Sequence, residues 1–281
     1  MRILITGAAG SIGSEVVRRL HSMHFIRAMD INEEGLWNLR AEFPKAETLI
    51  GDVQHSEDCT RAAADCDAVI HCAALKHVDL CETNPRAAWR VNFYGTVNML
   101  HASTGQRFVF ISTDKAIQPE CVMGKSKQAA EEWVLDRGGN VARFGNVIGS
   151  RGSLIPMVQR CARYGTKIPL TDPRMTRWVM TTREAVNQIL EALYSEESGK
   201  LFLPENPRAV HVGKFMELCR KQYAPHCEIV RVGARPGERL HEPCELESGA
   251  IVWSNNENYL LRQAKPIRAM LGADGQLKGA I

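Results

Sequence analysis

Several features are missing from this 281-residue sequence, and their absence closes whole classes of function. No window approaches the roughly 20 consecutive apolar residues that a membrane-spanning helix needs. The N-terminus reads as a strand, not a secretory signal. No run of one charge sign occurs either: 35 basic residues oppose 32 acidic ones for a formal charge of +3, and the basic ones are dispersed. That pattern does not indicate nucleic acid. The nine cysteines, at 59, 66, 72, 81, 121, 161, 219, 227 and 244, form no Cys-x-x-Cys, and the nine histidines show no paired spacing. They read as reduced thiols in a cytoplasmic protein, with neither a disulfide framework nor a metal site. Internal repeats, low-complexity tracts and flexible linkers are also missing, so two lobes, if present, are expected to interleave.

What is present begins at the first residues. Arg2-Ile3-Leu4-Ile5-Thr6 has the apolar character of a buried strand and runs into Gly7-Ala8-Ala9-Gly10-Ser11-Ile12-Gly13, followed by an amphipathic stretch. Gly7 and Gly10 let a backbone turn and approach a pyrophosphate, Gly13 lets helix and strand pack closely, and the helix N-terminus offers N–H donors and a positive partial charge. A second apolar strand ends at Asp30, placed to accept from an adenosine ribose. An acid there repels a ribose phosphate, so NAD is expected over NADP, although Arg27 is close in sequence and keeps NADP open. Asp52 and Val53 follow a third strand and suit either an adenine contact or an ordinary polar turn. Ala73 and Ala74 close a fourth strand with side chains small enough for a cofactor to pass.

Strand and helix patterns alternate to about residue 146, with strands near 2–6, 25–30, 46–50, 67–72, 106–112 and 140–144 and helices over 86–102 and 120–136. This predicts an α/β fold: a Rossmann-like, doubly wound parallel sheet over 1–150, with a smaller C-terminal substrate lobe over 151–281 interleaved with it. With 44% hydrophobic residues the chain has ample core.

The chemistry gathers at Ser112-Thr113-Asp114-Lys115 and Met123-Gly124-Lys125-Ser126-Lys127. Short-chain dehydrogenases place a Ser or Thr at a central strand end, then a Tyr and, four residues on, a Lys at the start of a helix. Here Lys127 is present and Met123 stands where Tyr is usual. An acid, an amine and a second lysine beside a nucleotide-binding fold suggest an enzyme that oxidises a sugar in order to dehydrate it. Thr113 would hydrogen-bond the reacting oxygen, Asp114 would protonate a departing hydroxyl, Lys115 would act as a base, and Lys127 would hold the nicotinamide ribose. Met123 cannot take a proton, which passes the usual Tyr role to another group. Asp114 and Lys115 could also be a solvated loop pair.

Taken together, TGAAGSIG (6–13), AALKHVDLCETNP (73–85), VNFYGT (91–96), STDKAIQPECVMGKSK (112–127), RFGNVIGSRGSLIPM (143–157), DPRMTRWVMT (172–181) and RPGERLHE (235–242) resemble the nucleotide-sugar 4,6-dehydratases of the CapD-like, polysaccharide-biosynthesis branch of the extended short-chain dehydrogenases. The resemblance spans about residues 1–245. It implies a UDP-N-acetylglucosamine substrate, Asp114 and Lys115 as acid and base, and Lys127 in the cofactor site. It also implies that Met123 is tolerated and leans towards retention of configuration at carbon 5. Lys76 and His77 would flank the active site, and Asn146, Arg174, Arg235 and Glu238 would surround the UDP moiety; the two arginines can present bidentate forks to phosphate. A homodimer or larger homo-oligomer is expected on the same ground. Long family members carry a transmembrane region ahead of this domain, so a compact soluble form with a reduced C-terminal lobe is expected here. Three other activities compete: a 4-epimerase, a 5,6-dehydratase, and a non-catalytic NAD-sensing protein.

Overall fold

In the computed structural model, which describes residues 1–261, the chain divides into two compact units. The first comprises Met1–Arg143 and Val186–Phe202, and the second Phe144–Ala185 and Leu203–Ile281. The chain therefore passes from one unit to the other three times.

The first unit opens with β1 (Arg2–Thr6), α1 (Ser11–Leu20), β2 (Phe25–Asp30), α2 (Glu33–Glu42), β3 (Glu47–Ile50), α3 (Ser56–Ala63) and β4 (Ala68–His71). There follow α4 (Val78–Thr83), α5 (Pro85–Trp89), a π-helical turn (Arg90–Tyr94), α6 (Gly95–Ala102) and β5 (Arg107–Thr113). A 3-10 turn (Asp114–Ala116), α7 (Val122–Leu135) and β6 (Asn140–Phe144) complete the run. The strands form a parallel sheet in the order β3-β2-β1-β4-β5-β6, extended at the β6 edge by Leu201–Phe202. The six expected strands are all present. Ile3, Leu4, Ile5, Ala68, Val69 and Ile70 are fully buried, which is why β1 and β4 read as continuous apolar runs with no alternation. The strand order reverses between β1 and β4, and open parallel sheets bind ligands outside the carboxyl ends of strands at such a point.

The expected continuous helix over 86–102 is instead α5, a π turn and α6. The extra residue in the π turn lets Asn92 face inward, fully buried. Its side chain accepts from the Leu75 amide at 2.8 Å and donates to the Leu75 carbonyl at 3.0 Å and to Ser126 Oγ at 3.1 Å.

In the second unit, β7 (Asn146–Val147) leads into α8 (Leu154–Tyr164), β8 (Ile168–Leu170), β9 (Thr176–Met180) and α9 (Thr182–Tyr194). α9 starts in this unit at a capping box: the Thr181 hydroxyl accepts from the Glu184 amide at 3.2 Å, while Glu184 accepts from the Thr181 amide at 2.8 Å. Beyond β10 (Leu201–Phe202), which belongs to the first unit, come β11 (Arg208–His211), α10 (Val212–Tyr223), β12 (Ile229–Arg231), β13 (Pro243–Glu245) and β14 (Ile251–Trp253). β7 pairs parallel and β11 antiparallel with β9, and β8 pairs with β12. A core of Ile155, Val158, Ile168, Val210, Phe215 and Met216 holds this unit together. Among the described residues no helix is long and apolar enough to cross a membrane.

Candidate active site

At the carboxyl end of β1, Gly7 takes φ +62°, a conformation that favours glycine, and a Cβ there would lie 2.7 Å from the Ala73 amide nitrogen. A Cβ on Gly13 would run into the Gly7 carbonyl, so α1 packs against the turn only because residue 13 has no side chain. No acidic residue occupies the first turn of α1, so the helix does not compensate its own positive end. Asp30 accepts from the Ala9 amide at 2.9 Å and from the Asn32 amide at 3.0 Å, one bond per oxygen, and keeps further lone pairs for ribose hydroxyls. These features fit a dinucleotide. Arg27, the cation that had kept NADP open, is committed elsewhere: it donates to Glu47 at 2.9 Å and to the Ala62 and Ala64 carbonyls at 2.8 and 2.7 Å. Asp52 closes its own turn onto Gln54, with both bonds at 2.9 Å, and Val53 is buried.

Beneath this turn runs a buried chain of hydrogen bonds. Thr96 spends its hydroxyl proton on the Asn92 carbonyl at 2.8 Å, so His71 Nε2 must donate to Thr96 at 3.1 Å and Nδ1 must accept from Thr6 at 2.7 Å. Burial, helped by the Lys127 charge, holds the His71 pKa down at about 3, so the ring is neutral and this polarity is fixed. Ala73 N–H in turn donates to Thr6 at 3.4 Å. Ala73 and Ala74 are half-buried, and Lys76 and His77 are exposed ahead of α4.

At the end of β5 the backbone folds into the 3-10 turn, and Thr113, Asp114 and Lys115 come together. The Thr113 hydroxyl donates to Asp114 Oδ1 at 2.9 Å, Lys115 Nζ donates to the same oxygen at 2.9 Å, and the Lys115 amide reaches Thr113 Oγ1 at 3.4 Å. The Asp114 side chain is 3% exposed and Lys115 is 16% exposed, so this is not a solvated loop pair. Asp114 Oδ2 is buried with no hydrogen-bond partner among the described residues. A buried carboxylate oxygen left unpaired is costly unless a ligand or water meets it.

α7 is pressed against this turn. A Cβ on Gly124 would run into the Lys115 carbonyl. The helix start is capped by Cys121 Sγ, which accepts from the Gly124 amide at 3.3 Å, and by Glu82, which accepts from the Val122 amide at 2.6 Å. One turn on, Lys127 Nζ donates to the Ile111 carbonyl at 2.6 Å and sits 4.1 Å from the Phe110 ring centre. Burial lowers its pKa to about 8, against a raising influence from Glu131 and Cys72. Cys72 itself is pushed up to about 12 by burial and remains a thiol. Met123 is 4% exposed, in a cluster with Cys81, Ala88 and Cys121.

In the second unit, Arg174 is exposed, and its guanidinium already grips Asp172 (Nη2 to Oδ2 2.7 Å), holding that carboxylate down at about 2. A phosphate would have to displace it. Glu238 accepts from the Arg235 amide at 3.0 Å, which makes the RPGE segment a turn closed by its own acid. Asn146 is exposed on β7. The sequence reading assigned no role to Asn92, Gly124 or His71. Asn92 and Gly124 lie inside the quoted motifs, but their partners are 17 and 9 residues away, and linear spacing does not disclose such contacts.

The family profile described as polysaccharide biosynthesis protein matches residues 3–262. The fold is shared with Pen from Bacillus thuringiensis, at 27% identity and TM-score 0.85 over 91% of this chain and 94% of that one. It is shared too with DesIV, a dTDP-glucose 4,6-dehydratase from Streptomyces venezuelae solved with NAD bound, at 21% identity and TM-score 0.78 over 85% and 87% of the two chains. The chain belongs to the polysaccharide biosynthesis protein family. Its relatives include an uncharacterized membrane protein of Methanocaldococcus jannaschii, 38% identical over 87% of this chain and 80% of that protein. An inverting UDP-N-acetylglucosamine 4,6-dehydratase of Campylobacter jejuni is 33% identical over 92% and 81%, and a UDP-glucose 4-epimerase of Rickettsia canadensis is 31% identical over 85% and 76%.

Two outcomes follow from this geometry. Gly124→Ala forces α7 away from the Lys115 carbonyl, so turnover should fall by about tenfold or more while the fold persists by circular dichroism. Lys127 is charged in both folded and unfolded chains below pH 8, so its burial cost is then borne in full. Between about 8 and its ordinary 10.5 only the unfolded chain keeps the proton. Urea denaturation should therefore show wild type gaining stability relative to Lys127→Met as pH rises through that window.

Proposed function

We propose that this protein is a nucleotide-sugar 4,6-dehydratase acting on UDP-N-acetylglucosamine with a resident NAD. The observation that carries the reading is the Thr113–Asp114–Lys115 cluster, in which a buried carboxylate shares one oxygen with a hydroxyl and an ammonium while the other meets no partner among the described residues. Gly7, Gly10, Ser11, Ile12 and Gly13 would cradle the pyrophosphate. Asp30 would take the adenosine ribose, Asp52 and Val53 would border the adenine, and Ala73 and Ala74 would leave room for the cofactor. Lys127 would hold the nicotinamide ribose. Bound there, NAD would accept a hydride from carbon 4 of the hexose and return it at carbon 6. The commitment of Arg27 to Glu47 and the Ala62 and Ala64 carbonyls favours NAD over NADP.

The protein's own part is proton management. Two protons come off the sugar, from the carbon-4 hydroxyl and from carbon 5, and two go on, to the departing carbon-6 hydroxyl and back to carbon 5. Thr113 orients the carbon-4 oxygen. The Asp114–Lys115 pair supplies acid and base from a single shared proton: transfer across the 2.9 Å bond converts ammonium and carboxylate to amine and carboxylic acid. Asp114 then protonates the leaving hydroxyl and Lys115 takes the carbon-5 proton, which restores the ion pair; water takes the carbon-4 hydroxyl proton, and Lys115, recharged from water, supplies the proton that returns to carbon 5. Met123, buried among apolar neighbours, takes no proton and serves as packing. Lys76 and His77 are assigned to the rim of the site, and Asn146, Arg174, Arg235 and Glu238 to the UDP moiety, with Arg174 exchanging Asp172 for phosphate.

An epimerase needs only reversible oxidation at carbon 4 and has no leaving hydroxyl, so it leaves the Asp114–Lys115 pair without a task. Exposed apolar side chains at Leu80 and Tyr94 suit association into a homodimer. Nine free cysteines, eight of them buried, suit a reducing, cytoplasmic setting.

The purified protein incubated with UDP-N-acetylglucosamine in heavy water should give a new methyl signal and a 4-keto hydrate by proton NMR. An unchanged spectrum with NAD bound would reject the reading. Lys115→Ala should abolish deuterium incorporation at carbon 5 and leave NAD bound.

A further inference from the structure

Glu131 and Arg143 form a buried ion pair that the proposed chemistry does not use. Glu131 is 2% exposed, and Arg143, on β6, is 11% exposed by side chain. Arg143 Nε donates to Glu131 Oε1 at 2.9 Å and Nη2 to Oε2 at 2.5 Å, a bidentate fork. A pair this deeply buried contributes little net stability, because desolvation offsets most of the attraction, so a structural staple is a poor explanation for it. Its position is informative. Glu131 lies four residues after Lys127 on α7, and residues at that spacing share one helix face with Cβ atoms about 5–6 Å apart.

We propose that Glu131, oriented by Arg143, is a positioning residue that keeps the buried Lys127 ammonium charged at working pH and thereby fit to hold a cofactor ribose. The surroundings of Lys127 leave this duty to Glu131. β5 offers the Phe110 ring and the Ile111 carbonyl, a cation–π contact and a hydrogen bond with no formal charge. β4 offers His71, neutral because it is buried and polarised between two threonines, and Cys72, a thiol for the same reason. β6 offers Arg143, a cation whose guanidinium is held on Glu131. Glu131 is thus the formal anion nearest Lys127 on the helix that carries it, and it raises the lysine pKa against the burial that lowers it. Arg143 fixes the carboxylate in place and moderates it.

The two members of the pair carry opposite charge, so the proposal gives them opposite effects on Lys127. This inference rests on the proposed role of Lys127 for its purpose, but its test does not need NAD or turnover. Protein labelled with carbon-13 at lysine Cε is titrated by NMR, with the Lys127 resonance assigned by its loss in Lys127→Met. In Glu131→Gln, an isosteric change, the Lys127 midpoint should fall by about one unit or more. In Arg143→Met, which removes the opposing cation, it should rise. The alkaline limb of NAD affinity should move with the midpoint in each variant. A midpoint unchanged in Glu131→Gln overturns the proposal, and so does a fall in Arg143→Met, which remains informative if Glu131→Gln does not fold. If both midpoints move as expected while NAD affinity is flat with pH, it is the ribose role of Lys127 that fails.

Discussion

The contact on which the rest of the first unit depends is the seating of α7 against the end of β5. Two features make it. Gly124 removes the atom that would strike the Lys115 carbonyl, and Lys127 reaches across to donate to the Ile111 carbonyl at 2.6 Å. A parallel strand ends with carbonyls and amides that no neighbour completes, and the Lys127 ammonium takes one of these carbonyls inside the protein. Thr113, Asp114 and Lys115 form one tight turn immediately beyond it, closed by their own hydrogen bonds. If the helix moves outward, the ammonium and the Thr113–Asp114–Lys115 turn lose their registration together.

Burying that ammonium has consequences through the layer beneath. The same burial acts on its neighbours: His71 is held neutral, Cys72 stays a thiol against the pull of the Lys127 charge, and the Glu131 side chain is gripped by Arg143. The fixed polarity running from Ala73 through Thr6, His71 and Thr96 to Asn92 then links the glycine turn to the π turn of the helix beside it. Asn92 extends this chain to Ser126 on α7, so the glycine turn and α7 share one buried polar scaffold.

The sequence disclosed the parts of this arrangement that are local. The buried strands β1 and β4 announce themselves as apolar runs, and Gly7, Gly13 and Asp30 are spaced by the geometry of one strand–turn–helix–strand unit. Thr113, Asp114 and Lys115 meet because they are adjacent. What remained hidden is non-local or conformational. The π turn that points Asn92 inward has the same composition as ordinary helix. Glu131 and Arg143 lie on different elements, and Arg174 is drawn onto Asp172, two residues back, by a turn that the fork's affinity for phosphate does not foretell. The two-residue strand Leu201–Phe202, which joins the sheet beside β6, is too short to show any period.

The measurement that bears most directly on the account uses UDP-N-acetylglucosamine carrying deuterium at carbon 4. Oxidation, loss of water and return of the stored hydride at one site predict that the deuterium is found in the carbon-6 methyl group of the product, one label per turnover. Recovery of the label at carbon 4 of an epimerised sugar, with no methyl formed, would contradict it.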